Sequence, residues 1–187
     1  MRYSHSTLVR APIEDVFSFC TTRIGFCKYF SFPIYWNEGP ERPGQGDTVD
    51  FSYKVFRRFW IRHCAEITVF ERNQRYVDRM LAGPYEYFDH CYRFESKPEG
   101  TLVIEEVSYS LGYGRFIDRL IVKPFLDYLH ARRHRLLKQI FEQPNGPAAQ
   151  CADSGSLLEQ GAWYDAFLTR YWDEYWLFLL GVRRDGV

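Results

Sequence analysis

The sequence predicts an α+β domain in which a curved antiparallel sheet wraps around one long helix, and three features predict it. Between Val49 and Leu111, five segments alternate apolar and polar residues and are joined by short turns, the pattern of an antiparallel meander. From about Arg115 to Glu142 the period lengthens to that of an amphipathic helix. One strand and two short helical pieces precede the meander, so the comfortable packing lays the late helix across the sheet's concave face.

The elements follow in order. Tyr3 to Val9 alternates as an opening strand. Pro12 then marks a helix start, with Glu14 and Asp15 in a first turn where the helix dipole favours acids, and Val16, Phe17 and Phe19 on the buried side. A short helical or irregular piece spans Ile24 to Phe30 and stops near Pro33. In the meander, Val49, Phe51, Tyr53 and Val55 share one face of the first segment. Phe59, Ile61, His63, Ala65, Ile67 and Val69 share one face of the second. Arg75 to Leu81 is a third strand, ended by Gly83-Pro84; Glu86, Phe88, His90, Tyr92 and Phe94 share a face of the fourth; Thr101 to Leu111 is the last, after a turn at Lys97 to Gly100. In the helix, Pro124 predicts a kink or a division, after which Phe125, Leu129, Leu136 and Ile140 form one side, flanked by Leu126 and Leu137.

At 187 residues and 46% apolar composition, the chain holds one domain with a sizeable core and an appendage. Residues 1–143 form the domain, 144–156 a Pro/Gly/Ala/Ser-rich linker, and 157–187 a further amphipathic helix rich in rings, including Trp163, Tyr171, Trp172, Tyr175 and Trp176. The formal charge is zero, with 24 basic and 24 acidic residues, which argues against nucleic acid as a partner. The start is polar, no apolar run reaches a membrane span, and the five cysteines form no Cys-x-x-Cys pair. These features predict a soluble cytoplasmic protein with reduced thiols. The aromatic C-terminal helix is expected to dock on the domain over a cavity mouth, with homodimerisation through it as the next reading. Its acidic polar side disfavours peripheral membrane contact.

Several short stretches together resemble a known family: Tyr76-Val77-Asp78, Gly83-Pro84-Tyr85, Phe88-x-His90 with Phe94, Gly100-Thr101 followed by Glu105 and Tyr109, and Arg133-His134-Arg135. Their order and spacing resemble the START-like superfamily (SRPBCC proteins), in particular its polyketide cyclase/dehydrase-like group, over about residues 3–141. The sequence departs from that pattern at Phe88, where Trp is common, and at Glu105, where Asp is common. The resemblance implies a helix-grip fold with an internal hydrophobic cavity. It also implies binding of a lipid- or polyketide-like small molecule, with cyclisation or dehydration in a minority of members. It carries no catalytic residue onto this chain.

With the apolar side of each strand inward, the expected cavity residues are Phe51, Tyr53, Phe88, Tyr92, Val107 and Tyr109 from the sheet and Phe125, Leu129 and Arg133 from the helix. The polar side chains His63, Glu86, His90 and Glu105 come inward with them, and Asp78 joins if Tyr76 and Met80 point the same way. A buried Arg133 must be answered, either by Asp78 or Glu105 or by a ligand carboxylate, phenolate or enolate reached together with His90. His90 with Glu105 is the candidate catalytic pair of a cyclase or dehydratase. The leading expectation is a non-enzymatic carrier or sensor without a cofactor; an interaction module acting through the C-terminal helix is a further reading. His130 and His134 have zinc-ligand spacing, but the same helical projection turns His134 to solvent and puts His130 at the margin. Neither His63-Cys64 nor His90-Cys91 can chelate as a unit, because neighbours on a strand point to opposite faces, so no metal site is expected.

Overall fold

The computed structural model describes residues 1–55 and 59–142, and the account below concerns these. The linker at 144–156, the aromatic helix at 157–187 and Cys151 lie outside the described residues.

β1 (Arg2–Val9) leads into α1 (Ile13–Cys20) and α2 (Arg23–Tyr29). Then come β2 (Ile34–Glu38), β3 (Thr48–Val55), β4 (Phe59–Glu71), β5 (Arg75–Ala82), β6 (Tyr87–Lys97) and β7 (Gly100–Ser110). A short α3 (Arg115–Ile117), a π-helical turn at Asp118–Val122 and the long α4 (Lys123–Glu142) complete the order. The seven strands form one antiparallel sheet in the order β1-β7-β6-β5-β4-β3-β2. The meander is therefore continuous from β2 to β7, and β1 closes the sheet against β7.

β2 is the strand that the sequence does not announce. Its five residues lie between Pro33 and Gly39-Pro40, too short for alternation to show, yet Ile34 and Trp36 pack on the core while Tyr35 is exposed. Another difference is a register shift between β4 and β5. Ile67 pairs with Asp78 but Val69 pairs with Val77, so Thr68 is the extra residue of a bulge and the alternation changes phase beyond it. Phe70, not Val69, therefore joins the core, beside Phe17 and Tyr76.

β7 alternates without a break, burying Thr101, Val103, Glu105, Val107 and Tyr109. Its first residue, Gly100, has φ +141°, and a Cβ there would stand 2.2 Å from the Val9 carbonyl oxygen. Only glycine lets this turn pass the end of β1.

The break expected near Pro124 falls earlier, in the π-helical turn. Pro124 lies just past this turn in a continuous helical run, where the Lys123 N–H bonds the Asp118 carbonyl five residues back, so the widened turn precedes the proline that lacks an N–H. The buried face of α4 is Leu126, Leu129, His130, Arg133, His134 and Leu137. Leu136 and Ile140 sit beside this face, only partly buried, so the helix is rotated from the seating that its apolar residues alone suggest. Each fully buried leucine contributes roughly 1.5–3 kcal/mol. His130, Arg133 and His134 occupy the same stripe only because the sheet offers them a partner. Among the described residues, Cys20, Cys27, Cys64 and Cys91 are free thiols, and no helix is long and apolar enough to cross a membrane.

Candidate functional site

A cavity lies between α2, α4 and the β3–β6 part of the sheet, with about 70 Å³ open to a water-sized sphere. Of the residues expected from the sequence, Phe51, Tyr53, His63, Asp78, Phe88, His90, Phe125, Leu129 and Arg133 stand on its wall. Tyr92, Glu105, Val107 and Tyr109 do not. The reason is the seating of α4, whose main contact with the sheet is β1, so that it covers the β1–β7 side. Val107 and Tyr109 are packed in the core beneath it, and Tyr92 and Glu105 stand behind Arg133 and His90. Glu86 is exposed and accepts a hydrogen bond from Ser110 Oγ at 3.0 Å, because β6 begins only at Tyr87 and Tyr85 takes the inward place. Asp78 faces the cavity with Tyr76, because β5 pairs in unbroken register with β6 and sets them opposite His90 and Tyr92. Sequence reasoning misses the contribution of α2: Phe26 and Phe30 line the cavity, and both are visible as apolar residues four apart.

The polar centre is Glu105, fully buried on β7, one strand in from the β1 edge of the sheet. One carboxylate oxygen, Oε2, lies 3.0 Å from His90 Nε2, 3.3 Å from His130 Nε2 and 3.4 Å from Arg133 Nη1. The other, Oε1, accepts from His134 Nε2 at 2.9 Å. Arg133 also donates through Nη2 to the Tyr92 hydroxyl. Its guanidinium carbon lies 4.9 Å from the ring centre of Tyr29 and 5.6 Å from those of Phe30 and Tyr92, so rings as well as the carboxylate stabilise the cation. The expected internal pairing of Arg133 is thus present, with Glu105 as the partner. His134 is buried, contrary to its expected exposure, and so is His130. The missing information is the rotation of α4.

The electrostatics follow from burial and pairing. Burial alone raises the Glu105 pKa, but Arg133, with hydrogen bonds from His134 and His90, outweighs it and holds the carboxyl well below its usual range. Burial works against charge on Arg133, and Glu105 reverses this and keeps the guanidinium charged. His130 is pushed down to about 3 by burial, against the pull of Glu105. His63 is pushed down to about 4, mainly by burial and secondly by His90. Burial lifts Asp78 to about 6, although His90 and Arg133 oppose the shift.

Several nitrogens of this centre are left over, among them His130 Nε2 and His134 Nδ1. Arg133 Nε is buried and has no hydrogen-bond partner. His90 lines the cavity with Nε2 engaged by Glu105, so Nδ1 is the ring nitrogen outside that pair. Such an arrangement can orient an acidic ligand through Arg133 and exchange a proton through His90. The ligating atoms of His90, Glu105 and His130 also lie within 4.8 Å of one another, a grouping that spans β6, β7 and α4 and is invisible in any local spacing.

Comparison with known proteins bears on the fold. No family profile matches the sequence, and no curated protein matches it. Solved structures do. TTHA0849 from Thermus thermophilus superposes with a TM-score of 0.62 at 17% identity, covering 74% of this chain and 95% of that one. CV1439 from Chromobacterium violaceum gives 0.59 at 14%, covering 76% and 99%, and Ara h 8.0201 gives 0.57 at 11%, covering 74% and 95%. The chain has the helix-grip α+β fold, and the START-like resemblance of the sequence holds at the level of that fold.

Proposed function

We propose that the cavity binds a small amphipathic acid, ring-bearing and polyketide-like, with its acid group against Arg133. The observation that carries this reading is the guanidinium itself: it is buried on the wall of a ring-lined cavity, and its Nε–H has no partner in the protein. An unmet buried donor beside a charged group is a cost of about 1–3 kcal/mol that a ligand oxygen removes. The open space of about 70 Å³ is far below the roughly 300–1,000 Å³ typical of ligand pockets, which favours a compact ligand over a long acyl chain. Rings must move to admit it.

Native mass spectrometry of freshly purified protein should show a small-molecule adduct. Titration with 1-naphthoate and the neutral 1-naphthylmethanol tests the acid preference. Wild type should favour the acid, and Arg133→Lys, which keeps a charge but loses the planar fork, should lose roughly tenfold for the acid alone. Equal affinity for both probes in the wild type rejects the reading.

A second reading rests on the 3.0 Å contact of His90 Nε2 with Glu105. The pair can serve as a proton-transfer dyad for cyclisation or dehydration of such a ligand, with Glu105 orienting the ring and His90 Nδ1 taking the proton. Turnover abolished in His90→Ala while naphthoate binding persists would favour it; unchanged turnover would remove it.

A further inference from the structure

His130 holds one of the nitrogens in the Glu105 cluster that the protein around it does not satisfy. His130 Nδ1 lies 2.8 Å from the Leu126 carbonyl oxygen, which can only accept, so Nδ1 carries the proton and Nε2 presents a lone pair. That Nε2 is buried, has no hydrogen-bond partner and stands 3.3 Å from Glu105 Oε2. A lone pair facing a carboxylate oxygen across this distance needs an electrophile between them. His90 Nε2 is 3.0 Å from the same oxygen. Ligands bound at about 2.0–2.2 Å to a first-row ion stand roughly 3–3.4 Å from one another, so both edges already have the length of a coordination shell.

We propose that His90, Glu105 and His130 form a binding site for a divalent first-row transition ion of the Zn²⁺ or Fe²⁺ class, with its remaining positions open to the cavity. Two imidazoles and one carboxylate are a donor set of the right softness for such ions. Supporting contacts are in place as well. The Leu126 carbonyl fixes the His130 tautomer, and His134 Nε2 holds the other carboxylate oxygen at 2.9 Å. His90 and His130 both line the cavity, so the ion has a route in. Binding replaces the His90 Nε2–H···Oε2 bond: Nε2 turns its lone pair to the ion and the ring proton sits on Nδ1, so the imidazole stays neutral. Arg133 Nη1 lies 3.4 Å from Oε2 and adds a neighbouring positive charge. The site therefore takes an anion along with the metal, from Asp78 on the same wall or from a ligand acid group.

The test is titration of chelator-treated, untagged protein with Co²⁺. We expect one Co²⁺ per chain, visible ligand-field absorption, displacement by Zn²⁺, and two exchangeable, paramagnetically shifted imidazole N–H resonances. His130→Gln should weaken binding by roughly 100-fold or more, beyond the roughly 10–100-fold effect of an outer contact. Cys64→Ser, on the outer face of β4 and away from the cavity, should bind as the wild type. If His130→Gln fails to fold, the wild-type spectrum and its two imidazole resonances decide. Absence of ligand-field bands, or equal affinity in His130→Gln, overturns the proposal and leaves a proton as the bridging electrophile. Naphthoate binding measured in the presence of chelator keeps this outcome separate from failure of the acid-binding reading.

Discussion

Tyr92 on β6 and Glu105 on β7 stand directly opposite each other, and Arg133 from α4 is hydrogen-bonded to the first and ion-paired with the second. One helical side chain thus ties the helix to two adjacent strands at the level where the cavity ends.

Removing the negative charge should be severe. Glu105→Gln keeps the shape but leaves Arg133 charged and buried without its counter-ion, for an expected loss of about 3–5 kcal/mol in urea unfolding. Adding Arg133→Met to Glu105→Gln should recover part of that loss, because the uncompensated charge is gone. A single-variant loss below about 1 kcal/mol would mean that the pair is solvated.

Tyr92→Phe deletes one acceptor of Arg133 and little volume. A hydrogen bond to a charged group contributes about 1.5–3 kcal/mol, and the measured destabilisation should fall in that range. The Arg133–Glu105 pair remains, so the variant should fold, which makes it a gentler probe than Glu105→Gln.

Stability should fall on acidification, with a share assignable to His63. Its pKa is about 4 in the folded protein against 6.5 as the ordinary value, mainly through burial, and the ionisable groups bearing on it are His90, which lowers it further, and Asp50, which raises it. Below about pH 6.5 the unfolded chain binds the proton that the folded chain refuses. The stabilisation is present above that pH and is lost as pH drops toward about 4. At about pH 5 this amounts to about 2 kcal/mol. Asp78, lifted to about 6, acts in the opposite sense, losing stability as pH rises through that value. Comparing urea midpoints of wild type and His63→Gln at about pH 7.5 and about pH 5 isolates the histidine; an equal acid loss in both would reject the assignment.

Gly100→Ala should destabilise by roughly 1–3 kcal/mol without touching the cavity, since φ +141° is strained for alanine and its Cβ would meet the Val9 carbonyl oxygen at 2.2 Å. Thermal unfolding gives the loss, and unchanged naphthoate binding shows that it is confined to the turn.

Much of this architecture is legible in the residues themselves. Strict alternation from Thr101 to Tyr109 places Glu105 inward, and the run Phe88, His90, Tyr92, Phe94 does the same for β6. The errors arise where a non-local interaction sets the phase. The bulge at Thr68 exchanges Val69 for Phe70, and it is a matter of pairing with β5 that one strand cannot encode. The short β2 has no period to read. On α4, two apolar stripes lie side by side, and neither helical periodicity nor hydrophobicity chooses between them. Local pattern therefore leaves α2 off the cavity wall and puts His134 in water.

The same ambiguity confronts the folding chain. Phe125, Leu136 and Ile140 would serve as a contact ridge nearly as well as Leu126, Leu129 and Leu137, so greasy packing alone leaves α4 free to roll by about one residue. Glu105 removes that freedom. Its oxygens accept from or face three positions on one helix, at 130, 133 and 134, and a roll breaks all three at once. The carboxylate therefore acts as a detent on helix rotation: it gives up solvation to secure a single seating. Replaced by leucine, it should yield a protein that keeps its sheet and helix content but shows several sets of side-chain resonances for α4, a domain that is folded without being unique.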